Sequence, residues 1–178
     1  MIVVVMGVSG AGKTTVGRLL AQRLGCEFLE GDDFHSPENV ARMAAGTPLG
    51  DGDRWAWLAS LNALLRESEQ RGERVVLACS ALKEIYREKL TAGLARCELV
   101  FLNGSFQLID SRLKERKHRY MPASLLESQF AALEPPQFAI EVDVSASVEH
   151  CVETIAARLA AAPEEPPRGL GPRSTSRP

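Results

Sequence analysis

The chain has 178 residues, 45% of them hydrophobic, and a formal net charge of −2. This length favours a single domain, and this composition excludes a disordered chain and the strongly basic face of a nucleic-acid-binding protein. No apolar stretch approaches the roughly 20 residues of a membrane span, and no basic region precedes the first apolar run, so we expect neither a membrane protein nor a secretory signal.

The first predicted element is a buried strand at residues 2–6, where the sequence is apolar without a break and rich in β-branched residues. A helix is predicted to end at residue 24, because apolar residues recur at helical spacing up to that point. Between them, Gly7–Thr14 reads G-x-x-x-x-G-K-T, the pattern of a phosphate-binding loop. In such a loop backbone N–H groups cradle the phosphates, Lys13 reaches the β- and γ-phosphates, and the Thr14 hydroxyl completes a Mg²⁺ shell.

A second strand, at 27–30, leads into a loop crowded with acids: Glu30, Asp32, Asp33 and, beside them, His35. Ligands of parallel α/β sheets bind beyond the carboxyl ends of the strands. We therefore expect one of these carboxylates to hold Mg²⁺ through water and another to accept a proton from a substrate hydroxyl. The alternative is a solvated turn in which the acids only bind nearby backbone.

A short helix at about 36–45 and a glycine-rich loop precede a longer helix predicted at 54–71. Asp51 or Asp53 can cap this longer helix. Arg54 stands in its predicted first turn, where it is either functional or a surface residue, and the sequence pattern places Trp57 in the core.

A third strand is predicted at 74–79 and a helix at 81–91. Ser80, between them, suits the N-cap of that helix. In a functional interpretation, Ser80, Lys83 and Arg87 line the mouth of one cleft.

A fourth strand is predicted at 98–103 and a helix at about 105–116. Arg112 and Arg116 are four residues apart and so share a helix face. A basic segment over a phosphate loop is typical of a mobile lid that neutralises charge on the transferring phosphoryl group and excludes water. A solvated basic helix end is the competing interpretation.

A further helix to about residue 133, a strand at 138–143 and a helix at 147–162 complete an alternating pattern, which predicts an α/β fold with a five-stranded parallel sheet. We assign residues 1–162 to one domain and residues 163–178, rich in Pro, Gly, Ser and Arg, to a disordered tail. Four scattered cysteines are expected to be free thiols of a cytoplasmic protein: Cys26, Cys79, Cys97 and Cys151.

Four stretches together resemble the P-loop gluconokinases: GVSGAGKTT, GDDFHSPENVARMAAGTPLGDGDRWAWL, CSALKEIYREKL and SRLKERKHRYMPASLLESQFAALEPP. The resemblance runs in register over about residues 1–160. It implies a P-loop NTPase-type sheet flanked by helices, a mobile lid at about 116–133, and a homodimer without nucleic-acid or membrane partners. It also implies ATP- and Mg²⁺-dependent phosphorylation of D-gluconate at its 6-hydroxyl, giving 6-phospho-D-gluconate.

Carried over position by position, the resemblance implies roles for individual residues. The ATP-binding residues are Gly7, Val8, Ser9, Gly10, Ala11, Gly12, Lys13, Thr14 and Thr15. The gluconate-binding residues are Asp32, His35, Arg42, Arg54, Ser80 and Lys83. The catalytic residues are Lys13, Asp32 as the proton acceptor and Arg116 as the lid arginine, with Thr14 on the metal.

The chain departs from the family at Glu30, where Asp is usual, around Gly50 and Gly52, and at 117–120, which reads KHRY instead of KGHF. Two other interpretations stay open. One is a kinase for another small acceptor, such as shikimate or adenylyl sulfate. The other is a nucleotide-dependent switch, which would consume ATP without an added acceptor.

Overall fold

Strands and helices alternate along the chain. The structure, a computed structural model, describes residues 1–45, 47, 49–115 and 123–161. The strands are β1 (Ile2–Met6), β2 (Glu27–Glu30), β3 (Val75–Ala78), β4 (Cys97–Asn103) and β5 (Ile140–Asp143). The helices are α1 (Lys13–Leu24), α2 (Pro37–Ala44), α3 (Asp51–Gln70), α4 (Glu84–Thr91), α5 (Phe106–Glu115), α6 (Ala123–Ala132) and α7 (Val148–Ala161). Arg116, the rest of 116–122 and the predicted tail at 163–178 lie outside the described residues.

The five strands form one parallel sheet in the order β2-β3-β1-β4-β5, which confirms the predicted fold class. The central strand β1 is buried on both faces. Val3 and Val5 pack into an apolar cluster with α1, α5, α6 and α7, whereas Ile2, Val4 and Met6 pack into a second cluster with α3 and α4. Helices on both faces of the sheet explain why the β1 sequence is apolar without alternation.

The parallel arrangement places the carboxyl ends of the strands at one edge of the sheet. The phosphate loop follows β1 at this edge, the acidic loop follows β2, and Cys79 and Ser80 follow β3. Sequence segments that are far apart therefore meet there, as expected for the ligand-binding edge of an α/β sheet. Within the described part of the chain, no helix is both long and apolar enough to cross a membrane.

Two predicted helix starts are wrong. Helix α3 begins at Asp51 rather than at residue 54, because the Asp53 carboxylate accepts the N–H of Gly50 at 2.8 Å and so caps a helix that starts earlier. Helix α4 begins at Glu84 rather than at residue 81, since Ala81 has a φ of +40°, which a right-handed helix excludes. Lys83, and not Ser80, therefore precedes the first helical residue of α4.

Strand β5 begins at Ile140, two residues later than predicted, and Phe138 is 88% exposed. The predicted state of the cysteines is confirmed, because all four are free thiols. Burial raises the pKa of the Cys79 and Cys97 thiols to about 12, which keeps them protonated and unreactive at neutral pH.

Candidate functional site

The loop after β1 has the backbone of a phosphate cradle. Gly7 has a φ of +146° and Gly10 a φ of +89°, backbone conformations that residues with a side chain rarely adopt. A Cβ at Gly10 would also lie 2.9 Å from Ile109 and Leu113. Gly12 precedes α1 and, having no side chain, leaves the first N–H groups of the helix available to an anion.

Lys13 and Thr14 follow these glycines in the first turn of α1. The Lys13 ammonium folds back over the loop and donates a hydrogen bond to the Val8 carbonyl at 3.1 Å. The Thr14 hydroxyl donates to the Glu30 carboxylate at 2.6 Å. The longer side chain of Glu30 thus reaches from the end of β2 to the hydroxyl that the sequence assigned to the metal.

Thr14 and Glu30 together form an oxygen donor set that fits Mg²⁺. This ion keeps several waters and is usually held by one or two protein oxygens plus substrate phosphates. The pair therefore suits a metal that arrives with a nucleotide.

The acidic turn, residues 31–35, follows β2, and Gly31–Phe34 form a short 3₁₀ helix within it. The Trp57 indole N–H donates to the Gly31 carbonyl at 2.8 Å, and the His35 ring stacks on the Trp57 ring with centroids 4.1 Å apart. Burial lowers the pKa of His35, against the opposing charge of Asp32, so His35 is neutral at pH 7. The buried α3 tryptophan thus fixes the turn that carries the candidate proton acceptor.

Charged groups of the phosphate loop and of the acidic loop also lie near the carboxyl end of β3. The buried Cys79 thiol at the end of β3 is affected by the charges of Lys13, Glu30 and Asp32. Asp32 itself is exposed, as a residue that meets a diffusing substrate must be.

The predicted gluconate-binding cations lie in a polar network at the starts of α3 and α4. We call it the acceptor-side network; it consists of Arg42, Asp51, Asp53, Arg54, Lys83 and Tyr86. Lys83 donates to Asp51 at 3.0 and 3.2 Å, and Arg42 donates to Asp53 at 2.7 Å. Arg54 instead donates to the neutral Tyr86 hydroxyl at 3.3 Å.

Tyr86 connects the two halves of this network. Its hydroxyl donates to Asp51 at 2.5 Å, and the Arg54 guanidinium and the Lys83 ammonium lie 5.5 and 5.4 Å from its ring centre. The Tyr86 hydroxyl and then Lys83 hold the pKa of Asp51 below its usual value, and the bond to Asp51 raises the pKa of Lys83. Asp51 and Lys83 are therefore both charged at neutral pH.

Ser80 is half-buried beyond β3, beside this network in sequence. The prediction that Arg87 lines the cleft mouth is wrong. Arg87 is 4% exposed, donates to the carbonyls of Ala81 and Leu82 at 3.1 and 3.0 Å, and pairs with Glu84. Its role is to hold the turn that carries Ser80 and Lys83.

A cleft of about 250 Å³ adjoins the phosphate loop. Its walls come from Gly10–Gly12 and the start of α1, from Val144–Val148 and from α7, with Arg112 beside them. The Arg112 guanidinium donates to the Val144 carbonyl at 2.6 Å. Arg112 therefore borders this cleft, and Arg116, its predicted partner on the lid, lies outside the described residues.

Comparisons with known proteins agree with this geometry. A family model described as an AAA domain matches residues 2–136. A protein of Gluconobacter oxydans named gluconokinase is 51% identical over 133 residues, which cover 75% of each chain. A Mus musculus protein named "Probable gluconokinase" is 44% identical, over 89% of this chain and 95% of its own. The chain belongs to the gluconokinase family.

A solved gluconokinase of Sinorhizobium meliloti 1021 shares the fold at a TM-score of 0.81 with 42% identity, over 89% of this chain and 90% of its own. Membership in the gluconokinase family makes this chain a P-loop kinase and disfavours the switch interpretation.

Three residues of the site were missed at the level of sequence. Asp51 was considered only as a cap, Tyr86 was given no role, and Gln129 stood unremarked within the family-like stretch SQFAALEPP. In the structure Gln129 contacts Ser9 of the phosphate loop. The signal that could have found Tyr86 and Gln129 is their presence within two of the stretches that resemble the family, CSALKEIYREKL and SRLKERKHRYMPASLLESQFAALEPP.

Proposed function

We propose that this protein is a gluconokinase, which transfers the γ-phosphoryl group of ATP to the 6-hydroxyl of D-gluconate. One observation carries the proposal. Contacts join the acidic turn to both sides: Glu30, which precedes it, accepts a hydrogen bond from Thr14 of the phosphate loop, and its anchor Trp57 is one turn of α3 away from Arg54 of the acceptor-side network. ATP bound at the phosphate loop and an acceptor whose carboxylate is bound by the cations of the network can thus both reach the carboxylates of the acidic turn.

The acceptor-side network matches the chemistry of gluconate, which has one carboxylate and five hydroxyls. We assign the substrate carboxylate first to Arg54, because its hydrogen-bond partner Tyr86 is neutral and can stay in place. Arg42 and Lys83 are held in solvent-exposed ion pairs, which cost little to exchange for a substrate anion. Ser80 and His35 supply hydrogen-bonding groups for the substrate hydroxyls.

On the donor side, the loop Gly7–Thr15 binds the phosphates, and the cleft beside Arg112 takes the base and ribose of ATP. The open N-terminus of α1 and Lys13 place positive charge next to the β- and γ-phosphates. When bound, Mg²⁺ neutralises charge on these phosphates, and Thr14 and Glu30 would hold it. The role of Arg116 as a further cation beside the transferring phosphoryl group stays a prediction.

The chemical step needs positioning more than covalent help. Asp32 orients the 6-hydroxyl and takes its proton as the hydroxyl oxygen bonds to the γ-phosphorus. The bond from that phosphorus to the β–γ bridging oxygen breaks, and ADP leaves. Lys13 stabilises the negative charge that passes to the leaving group.

The test is an ADP-release assay with several acceptors in parallel: D-gluconate, shikimate, adenylyl sulfate and none. We expect ADP formation that depends on gluconate. Turnover with shikimate or adenylyl sulfate alone would support the other kinase assignment, and release of ADP without an acceptor would support the switch. Phosphorus NMR of the product must place the phosphoryl group on the 6-oxygen.

A matched pair of variants tests the carboxylate site. Arg54→Met removes the assigned cation and should raise the gluconate KM at least about tenfold, since the substrate charge then loses its partner. Arg66→Met, on the exposed face of the same helix, should leave this KM unchanged. Equal KM values in the two variants would remove Arg54 from the site.

We also propose a homodimer and a cytoplasmic location, both from the family resemblance. Light scattering after size-exclusion chromatography measures the oligomeric state. A monomer at micromolar concentration would contradict the first proposal. Fractionation of the source cells checks the second, which fails if the protein is recovered outside the cytoplasmic fraction.

A further inference from the structure

Gln129, near the middle of α6, is joined to the phosphate loop by both ends of its side-chain amide. Its Oε1 accepts the backbone N–H of Ser9 at 2.6 Å, and its Nε2 donates to the Ser9 hydroxyl at 3.0 Å. The two residues are 120 positions apart in sequence. Ser9 stands between Gly7 and Gly10, whose positive φ angles glycine adopts readily, so this pair of bonds fixes a part of the loop that has much backbone freedom.

The chain just after α6 is joined to the other substrate loop. The Glu134 N–H donates to the Leu82 carbonyl at 2.9 Å, and the Glu134 carboxylate accepts the N–H of Glu84 at 2.6 Å. Leu82 and Glu84 flank Lys83 of the acceptor-side network. The carboxylate also occupies the N-terminus of α4, where the helix dipole favours negative charge.

Around these attachments α6 packs on the rest of the molecule, while the residues between them, 130–133, are partly buried or exposed. Leu126, one turn before Gln129, is 1% exposed, and the Phe130 ring packs edge-on against Phe106 with centroids 5.4 Å apart. Leu133 packs against the apolar clusters on both faces of the sheet. Helix α6 and Leu133 thus connect the two attachment points through continuous chain and through packing contacts.

We propose that Gln129–Glu134, which we call the α6 brace, couples the donor loop to the acceptor loop. Gln129 is a positioning residue: it contacts Ser9 and acts on the nucleotide through the loop. Occupation of the phosphate loop shifts the brace and sets the spacing of Ser80 and Lys83 for the acceptor. ATP and gluconate then bind with mutual enhancement, and this inference rests on the proposed function.

The experiment measures the dissociation constant of D-gluconate by calorimetry, with and without a saturating non-hydrolysable ATP analogue. The wild-type protein should bind gluconate at least about fivefold more tightly with the analogue, the lower end of typical coupling between sites. Gluconate must raise the affinity of the protein for the analogue by the same factor, because such coupling is reciprocal. Gln129→Ala and Glu134→Ala should each bring the factor close to one.

Ser128→Ala is the matched control, since its exposed hydroxyl donates only to Leu125 within the helix, and it should keep the wild-type factor. A wild-type factor of one, or a wild-type factor in both Gln129→Ala and Glu134→Ala, would overturn the inference. If one variant fails to fold by circular dichroism, the other decides. A wild-type protein that binds no gluconate would overturn the proposed function, and the brace with it.

Discussion

Trp57→Phe tests the anchoring of the acidic turn. In the native protein the Trp57 indole N–H donates to the Gly31 carbonyl at 2.8 Å, and Trp57 is 4% exposed. Phenylalanine keeps an aromatic ring for His35 but removes the donor and part of the volume. An unpaired buried carbonyl costs about 1–3 kcal/mol, and the lost volume adds about 1 kcal/mol, so the expected loss of unfolding free energy is about 2–4 kcal/mol.

For a chain of this length that loss lowers Tm by roughly 5–15 °C. The turnover number with gluconate should fall as well, by about tenfold to a hundredfold, because the turn that carries Asp32 loses its fixed position. The ATP KM should change little, since the phosphate loop is held by other contacts.

The assay is thermal unfolding and gluconate-dependent ADP release on one preparation, with Trp55→Phe as the control. Trp55 is the chain's other tryptophan and is 37% exposed, edge-on to Tyr86. The Trp55→Phe protein should lose far less unfolding free energy than the Trp57→Phe protein. A Trp57→Phe protein with wild-type Tm and turnover would refute the proposed anchoring, and so would equal effects in the two variants.

Three further outcomes are expected. Lys13→Ala should fold normally and lose at least about a hundredfold in turnover; near wild-type turnover would contradict the loop assignment. Asp32→Asn should lose about 10²–10⁴-fold in turnover with little change in gluconate affinity, whereas Asp33→Asn should not. The pKa of His35 is lowered in the folded protein. As the pH falls below the ordinary value of 6.5, His35 therefore takes up a proton more readily in the unfolded chain than in the folded protein. Below that pH the free energy of unfolding, measured with urea, should therefore fall by more in the wild type than in His35→Phe. Parallel curves of this free energy against pH in the two proteins would exclude the contribution of His35.

The sheet and the phosphate loop could be predicted because their signals are local. An unbroken apolar strand, a glycine-rich turn and an amphipathic helix follow one another within the first 24 residues. The start of α4 could not be predicted in this way. It depends on Arg87, whose buried guanidinium holds the turn at Ala81, and on Glu134, which reaches Glu84 from 50 positions away.

The candidate site shows the same division. The residue types that bind phosphate and a sugar acid could be predicted from motifs, and the structure gathers Asp32, His35, Arg54 and Lys83 near one edge of the sheet. The pairing of Lys83 with Asp51 could not be predicted, since it depends on how α3 meets α4. Nor could the contact of Gln129 with Ser9, which no local pattern encodes.

The central claim is that the acceptor is recognised by its carboxylate, and the ratio of kcat/KM for D-gluconate to that for D-glucose tests it most directly. The two molecules share a chain of hydroxyls, but glucose is neutral and would leave the Arg54 charge unpaired. That mismatch costs several kcal/mol, so we expect gluconate to be favoured by at least about a hundredfold. A ratio near one would contradict the account.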